Sequence, residues 1–220
     1  LFKARLDKLT LISISCKVAD EYCFCTSTGG SPCNTFGSDI LLTEMNDGNY
    51  FAEILTEKGK KIVDNHAQLF EAISTNFDKE SNTAKVTAQF TKEEINKKLQ
   101  TMFDSNIWEE QSKRCIGCGT CAYVCPVCAC FDIQDEPRGN KGTRLRCWDS
   151  CAFSLFTLHT SGHNPRSTQA QRWRQRAYHK FSYMPDKQQG FGCVGCGRCS
   201  RACPVDMNMF EHLTEIKNIK

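Results

Sequence analysis

One cysteine pattern occurs twice in the chain, and every other feature has to fit around it. Cys115-Ile-Gly-Cys118-Gly-Thr-Cys121-Ala-Tyr-Val-Cys125-Pro126 and Cys193-Val-Gly-Cys196-Gly-Arg-Cys199-Ser-Arg-Ala-Cys203-Pro204 both read C-x2-C-x2-C-x3-C-P. Three thiolates two residues apart on a tight loop cover three corners of a [4Fe–4S] cube, and glycines 117, 119, 195 and 197 let the backbone curl close to it. The fourth cysteine follows a helical turn, points away from its own loop and serves the other cube. The spacing therefore predicts Cys115, Cys118, Cys121 and Cys203 around a first cluster. Cys193, Cys196, Cys199 and Cys125 surround a second. Pro126 and Pro204 then end each ligand turn by fixing the backbone and removing an amide donor.

Two other uses of paired cysteines fit poorly. A zinc ribbon needs two C-x2-C pairs per ion rather than a trio with a distant C-P. Structural disulfides need an oxidising compartment and rarely place thiols two residues apart in repeated trios.

The chain has 220 residues, room for one large domain or two small ones, and sixteen of them are cysteines. No apolar run approaches a membrane span and no signal peptide is legible, so the expectation is a cytoplasmic protein without membrane insertion. Leu1 stands where Met would begin a chain, which leads us to expect an upstream segment. The formal charge of +3 counts each thiol as neutral. Two four-thiolate clusters, each about −2 when oxidised, bring it to about −1, so basicity does not argue for nucleic acid. Neither a single-strand stacking platform nor zinc-finger spacing is present.

Along the chain, residues 1–64 read as β-rich. Leu9 to Ser15 alternates, and Asp39–Glu44, Asn46-Asp47-Gly48 and Tyr50–Leu55 read as a hairpin. Between them runs a loop rich in glycine and cysteine, with Cys16, Cys23, Cys25 and Cys33. It reads either as a third metal centre, with Cys151 as a further donor, or as buried unligated thiols. Cys128 and Cys130, a C-x-C just after the first motif, rank behind those five as donors. Residues 65–114 read as a helical linker: a first helix carrying Leu69, Phe70 and Ile73, and a second opened by the Thr91–Glu94 capping box and carrying Ile95, Leu99, Met102 and Phe103. Residues 115–220 form the ferredoxin-like unit, interrupted by an insertion at 131–190. Within it, residues 134–142 read as a polar loop, and Asp149 or Ser150 as the cap of a short helix bearing Phe153, Leu155, Phe156 and Leu158. His163, Arg166, Arg174, Arg176 and Lys180 supply charge that either tunes a cluster and docks a partner or simply faces water. Met209, Leu213 and Ile216 mark a last amphipathic helix.

Several of these stretches together resemble a known family. They are Cys23-Phe-Cys25-Thr, Cys125-Pro-Val-Cys128-Ala-Cys130-Phe-Asp, Trp148-Asp-Ser-Cys151, Gly162-His-Asn-Pro-Arg166, Arg174-Gln-Arg176 with His179-Lys180, and Phe191-Gly-Cys193-Val-Gly-Cys-Gly-Arg. The chain is similar in these to the 4Fe-4S dicluster subunits, which include the beta subunit of soluble nickel–iron (sulf)hydrogenases and the corresponding dicluster subunit of anaerobic sulfite reductase. The resemblance implies an electron relay of anaerobic metabolism within a hetero-oligomer, together with a reductase subunit that binds flavin and NAD(P) and with a catalytic or further electron-transfer subunit. Cys33 and Cys147 have no match in that pattern.

The expected protein is an α+β electron-transfer subunit with two [4Fe–4S] clusters and donors for a third iron–sulfur centre, not catalytic alone. The alternative is an iron–sulfur enzyme with an open iron site built on the N-terminal cysteine loop. Neither a G-x-G-x-x-G unit nor a P-loop is present, so dinucleotide and ATP binding by those routes are not expected.

Overall fold

A computed structural model describes residues 2–73, 77–188 and 190–219. They divide into two compact units, residues 1–21 with 30–86 and residues 22–29 with 87–220, and the mixture of helices with two small sheets is of the α+β class.

The first unit is built on a three-stranded sheet. The alternating Leu9–Ser15 run supplies β1 (Ile12–Ile14), parallel to β2 (Ile40–Glu44), which pairs antiparallel with β3 (Tyr50–Ile54) through the predicted hairpin. Ile40, Leu41 and Thr43 are buried on β2. Asp39 ties the sheet to what flanks it, accepting from the Leu11 amide at 2.7 Å and from the Thr56 hydroxyl at 2.5 Å. Those bonds, led by the one from Thr56, hold its carboxyl below the usual carboxylate range. Thr56 also caps α2 (Glu57–Asn65) through the Gly59 amide. A short helix, α1 (Phe2–Leu6), precedes the sheet.

The helix expected to carry Leu69, Phe70 and Ile73 does not form. The helical stretch is α2 instead, followed by a single 3-10 turn at Ala67–Leu69, and residues 74–76 lie outside the described ones. Leu69 is 74% exposed and Ile73 48%, and a short segment that buries no apolar face has little to hold it helical.

The second unit has the larger core. The Thr91–Glu94 capping box forms and opens α3 (Lys92–Leu99), which buries Ile95 and Leu99. Met102 is also buried, whereas Phe103 is 44% exposed beneath the Arg174 guanidinium. Helix α4 (Ile107–Ser112) packs on α6 (Gln169–Tyr178), and α9 (Met209–Asn218) on α3. Between them Phe24, Phe90, Trp108, Trp173, Tyr178 and Phe181 fill one cluster with the predicted Met209, Leu213 and Ile216. Helix α6 widens into a π-turn at His179–Tyr183 before α7 (Met184–Gln188), the kind of local distortion that re-aims side chains at functional sites.

The insertion between the motifs differs from its sequence reading. Residues 134–142 are not a loop. They belong to a two-stranded ribbon, β4 (Phe131–Arg138) with β5 (Lys141–Trp148), turned at Gly139, whose φ of 58° suits the first central position of a tight hairpin. Every β4 residue is exposed. With no buried face the ribbon has no polar/apolar alternation to betray it. Cross-strand pairs hold it instead: Arg144 bonds both Asp135 carboxylate oxygens at 2.7 and 2.8 Å, and Arg146 lies 3.9 Å over the Phe131 ring. The helix expected over Phe153–Leu158 is a run of turns, with Leu155 70% and Leu158 46% exposed.

Candidate metal centre

The repeated sequence becomes a repeated backbone. Gly119 and Gly197 are left-handed (φ 75° and 69°) and start one-turn helices, α5 (Thr120–Tyr123) and α8 (Arg198–Arg201), which pack on each other. The hydrogen bonds match pair by pair. The Tyr123 and Arg201 amides donate to Gly119 and Gly197 carbonyls at 3.1 and 3.0 Å, and the Cys125 and Cys203 amides donate to Ala122 and Ser200 carbonyls at 3.3 and 3.1 Å. Each short helix thus carries its last cysteine out past the loop that holds the other three.

Cys125 does not face its own trio. It lines one cleft with Cys193, Cys196 and Cys199, bordered by Phe24, Arg176, Lys180 and Met209. On the other side Cys121 feels the charges of Cys115 and Cys203, with Cys199 across the join. Burial pushes the Cys121 thiol up, and it pushes Cys193 up to about 11.

Polar donors reach four of the sulfurs. Gln169 Nε2 donates to Cys115 Sγ at 2.9 Å, Met207 N to Cys203 Sγ at 3.2 Å, Gly195 N to Cys193 Sγ at 3.4 Å and Lys180 Nζ to Cys125 Sγ at 3.2 Å. Burial raises the Cys125 thiol, and Lys180, the Val127 amide and Arg176 outweigh it, leaving it below the ordinary thiol value. Hydrogen bonds with Thr120 lower the exposed Cys118.

Arg176 is the clearest sign of what the residues fit. Its side chain is only 3% exposed, it donates to the Cys121 carbonyl at 2.7 Å, and its Nε has no partner among the described residues. Burial opposes its charge, yet the nearby sulfurs of Cys121, Cys199, Cys151 and Cys125 hold it firmly protonated. A buried guanidinium with a spare donor needs buried negative charge beside it. Two clusters of net negative charge, each gripped by four thiolates, meet that need; thiols alone do not.

Of the five charged residues singled out from sequence, Arg176 and Lys180 reach cysteines. Nothing in the local pattern separates them from the rest, because an inward-facing pair at i and i+4 is hidden among alternating arginines. Arg174 instead lies 3.8 Å over Phe103 and donates to its carbonyl at 2.9 Å. Arg166 gives its carbonyl to Arg172, and His163 is on an exposed turn beside His159. Gln169, which sequence reading passed over, reaches Cys115 because Thr168 and Gln171 form a capping box that fixes the first turn of α6. That T-x-x-Q spacing was the available signal.

The remaining eight cysteines are divided between the two units. Cys151, expected with the N-terminal cysteines, lines one cleft with Cys128 and Cys130. The turns after Trp148 carry Cys151 back beneath the first motif. Cys23 and Cys25 belong to a segment laid on the second motif, where the Phe24 amide donates to the Gly195 carbonyl at 2.9 Å and Arg201 approaches Cys23 Sγ at 3.6 Å. Cys16 and Cys33 belong to the first unit, the Cys16 amide bonding the Pro32 carbonyl at 2.9 Å. Cys147 lies on the exposed ribbon, 3.8 Å from Gln134 Oε1. Among the described residues no three His, Cys, Asp or Glu side chains converge on a point that holds a single ion.

Comparison with known proteins accounts for the repeat. Residues 114–207 match the family model of the 4Fe-4S dicluster domain. This region is a 4Fe-4S dicluster domain. The dicluster domain lies within a longer likeness to sulfhydrogenase 2 subunit beta of Pyrococcus furiosus, 34% identical over 223 residues, 98% of this chain and 65% of that protein. A more distant relative is the F420-dependent formate dehydrogenase subunit beta of Methanocaldococcus jannaschii, 24% identical over 188 residues, 77% of this chain and 41% of that protein. The chain therefore spans less than two thirds of the length of either relative. No solved structure matches it.

Proposed function

We propose that the chain is the electron-transfer subunit of a hydrogenase-type oxidoreductase, relaying single electrons through two [4Fe–4S] clusters. Cys115, Cys118, Cys121 and Cys203 hold the first, and Cys193, Cys196, Cys199 and Cys125 the second. The observation that carries this reading is Cys125 lining the cavity of the second trio rather than its own. Both relatives are named as beta subunits of redox enzymes. That supports a place within a multisubunit redox enzyme; on this proposal the relay works in the cytoplasm between a flavin- and NAD(P)-binding reductase and a catalytic subunit. Among the described residues no helix is long and apolar enough to cross a membrane.

When bound, such clusters supply one-electron couples whose potential follows local charge and hydrogen bonding. The chain's own residues set those terms. Arg176 places a buried positive charge against cysteines of both sets, and Lys180 places one at Cys125, both favouring the more negative reduced state. Gln169, Met207 and Gly195 add N–H donors to sulfur. Phe24 and Met209, from the surrounding core, line the second set and reduce its contact with water. The swapped cysteines bring the two sets side by side, which suits electron passage from one to the next.

Iron and acid-labile sulfide on anaerobically purified protein, with paramagnetic resonance of the reduced form, test the assignment. About eight irons per chain are expected, and Cys125→Ala should keep about four, with the surviving signal that of the first set. Cys203→Ala should do the converse. A Cys125→Ala protein that loses the cluster of its own loop and keeps the other overturns the assignment.

A further inference from the structure

The first cysteine loop opens onto a continuous apolar surface. Ile116, Cys118 and Tyr123 are all exposed on it, and Cys118 is the one exposed member of the eight cysteines assigned to clusters. Tyr123 meets Trp148 edge to face at 5.5 Å, and Trp148 is the cross-strand neighbour of Phe131 at the base of the ribbon. Strand alternation puts Ile133 on the same ribbon face as Phe131. Phe131, Ile133 and Trp148 are 43%, 49% and 46% exposed. Apolar side chains scattered singly over a surface need no explanation, but a contiguous patch at a metal-binding thiol does.

The charge beside this patch has one sign. Asp135, Arg144 and Arg146 are the charged strand residues of that ribbon face, and Arg144 is taken up by Asp135. Arg146 is left, lying over the Phe131 ring with its charge in no ion pair among the described residues. Asp132 and Glu136 stand on the opposite face, and Arg138 and Lys141 pair across the turn at the tip. The wider insertion is basic as well. Residues 131–190 hold ten Lys and Arg against five Asp and Glu, whereas the rest of the chain holds eighteen against twenty. Setting aside the buried Arg176 and Lys180 still leaves an excess of three positive charges.

We propose that this face docks a redox protein whose one-electron group is rimmed by carboxylates, so that the relay exchanges electrons with it through the first cluster. The proposal rests on the two-cluster reading. Electron transfer weakens steeply with distance, and Cys118 is where an assigned ligand reaches the surface. Aromatic side chains and arginine are the types enriched at interface centres, as Tyr123, Trp148, Phe131 and Arg146 are here. A stable interface takes about 20–30 residues a side, far more than five apolar side chains and a basic rim supply. Electron-transfer encounters are the small, transient class that such a face fits. Carboxylates on the partner meet Arg146 and the basic insertion, which speeds the encounter more than it tightens the complex. In the exchange the reduced first cluster gives up one electron and the partner's redox group takes it, with no bond made or broken in this chain.

The test mixes reduced, reductant-free holoprotein with an oxidised acidic flavodoxin under anaerobic conditions and follows the blue semiquinone. Each flavin takes one electron from the protein and one proton from solvent. The rate should fall about tenfold between about 0.02 and 0.5 M salt. Ile133→Asp and Arg146→Glu should each slow it at least about tenfold at low salt, while Thr143→Ala, on the opposite ribbon face, should stay within about twofold. Benzoquinone, a small neutral oxidant that needs no docking, should oxidise all four proteins at one rate, and each should keep about eight irons. About eight irons with a salt-independent rate, or with Ile133→Asp and Arg146→Glu as fast as wild type, overturn the docking face and leave the relay standing. About four irons or none in the wild-type protein overturn the two-cluster reading and the exchange proposed at this face with it. A holoprotein that sediments as a dimer, and as a monomer on Ile133→Asp, overturns the docking in favour of a second copy of the chain.

Discussion

The two cysteine loops share a sequence and a backbone but not a cover. Around the first, Ile116 is 65% and Tyr123 75% exposed, and Cys118 is exposed. A side-chain ring roofs it: a Cβ at Gly119 would stand 2.6 Å from Phe153, and one at Gly117 would meet nothing closer than Gln169 Oε1 at 3.3 Å. Around the second, main chain is the roof. The segment 22–29 lies so close that a Cβ at Gly195 would come within 2.5 Å of the Phe24 and Cys25 backbone. Main chain cannot swing aside as a side chain does, so the second loop is the more tightly held of the two. The repeat fixes how thiols are presented; the surroundings decide how wet each set is and which charges it feels.

Substitution of the paired glycines gives the widest separation. Both lie in the left-handed region, at φ 70° for Gly117 and 63° for Gly195. Alanine at 117 should cost about 1 kcal/mol from backbone strain alone, and at 195 about 3 kcal/mol or more because the backbone above must also move. Urea unfolding of the two holoproteins with iron retention reads this directly. Equal losses would mean that the segment 22–29 is not a fixed roof.

Acid should act on the second half of the comparison. His212, on the helix that follows the second motif, packs edge-on to Trp173 at 5.0 Å, and burial holds its imidazole down at about 4. The unfolded chain, with an ordinary value of about 6.5, binds the proton first, so this contribution is complete above about pH 6.5 and is lost as pH falls toward 4. Between pH 7 and 5 the loss should be about 2 kcal/mol. His212→Gln should flatten that slope in denaturation measured at both values. The exposed ribbon after the first motif contributes no comparable step.

The smallest expected effect is electronic. Lys180→Gln removes a charge from Cys125 Sγ, whereas Gln169→Leu removes a neutral donor from Cys115 Sγ. The first should lower the potential of the second cluster by the equivalent of about 1–2 kcal/mol, and the second should shift the first cluster by about half as much. Redox titration followed by paramagnetic resonance distinguishes them. Shifts of the same size would show that the loops are electrostatically alike.

Much of this architecture was legible because local chemistry is written locally. The hairpin of Ile40–Glu44 and Tyr50–Ile54, the Thr91–Glu94 capping box and the apolar stripe of Met209, Leu213 and Ile216 each rest on residues a few places apart. The missed elements lacked that support. The 131–148 ribbon has no buried face to impose alternation, and the helices expected at Leu69–Ile73 and Phe153–Leu158 had apolar side chains but no surface to bury them against.

By itself the repeated C-x2-C-x2-C-x3-C-P determined the kind of chemistry, since spacing alone presents thiolates at the corners of a cube. What only the tertiary structure decided was the company those thiols keep. Arg176 and Lys180 turn inward because α6 packs on α4 and widens at residue 179, and Cys151 shares a cleft with Cys130 because the chain returns after a ribbon of sixteen strand residues. Burial and charge depend on segments distant in sequence, and no local pattern records which of them the core will bring together.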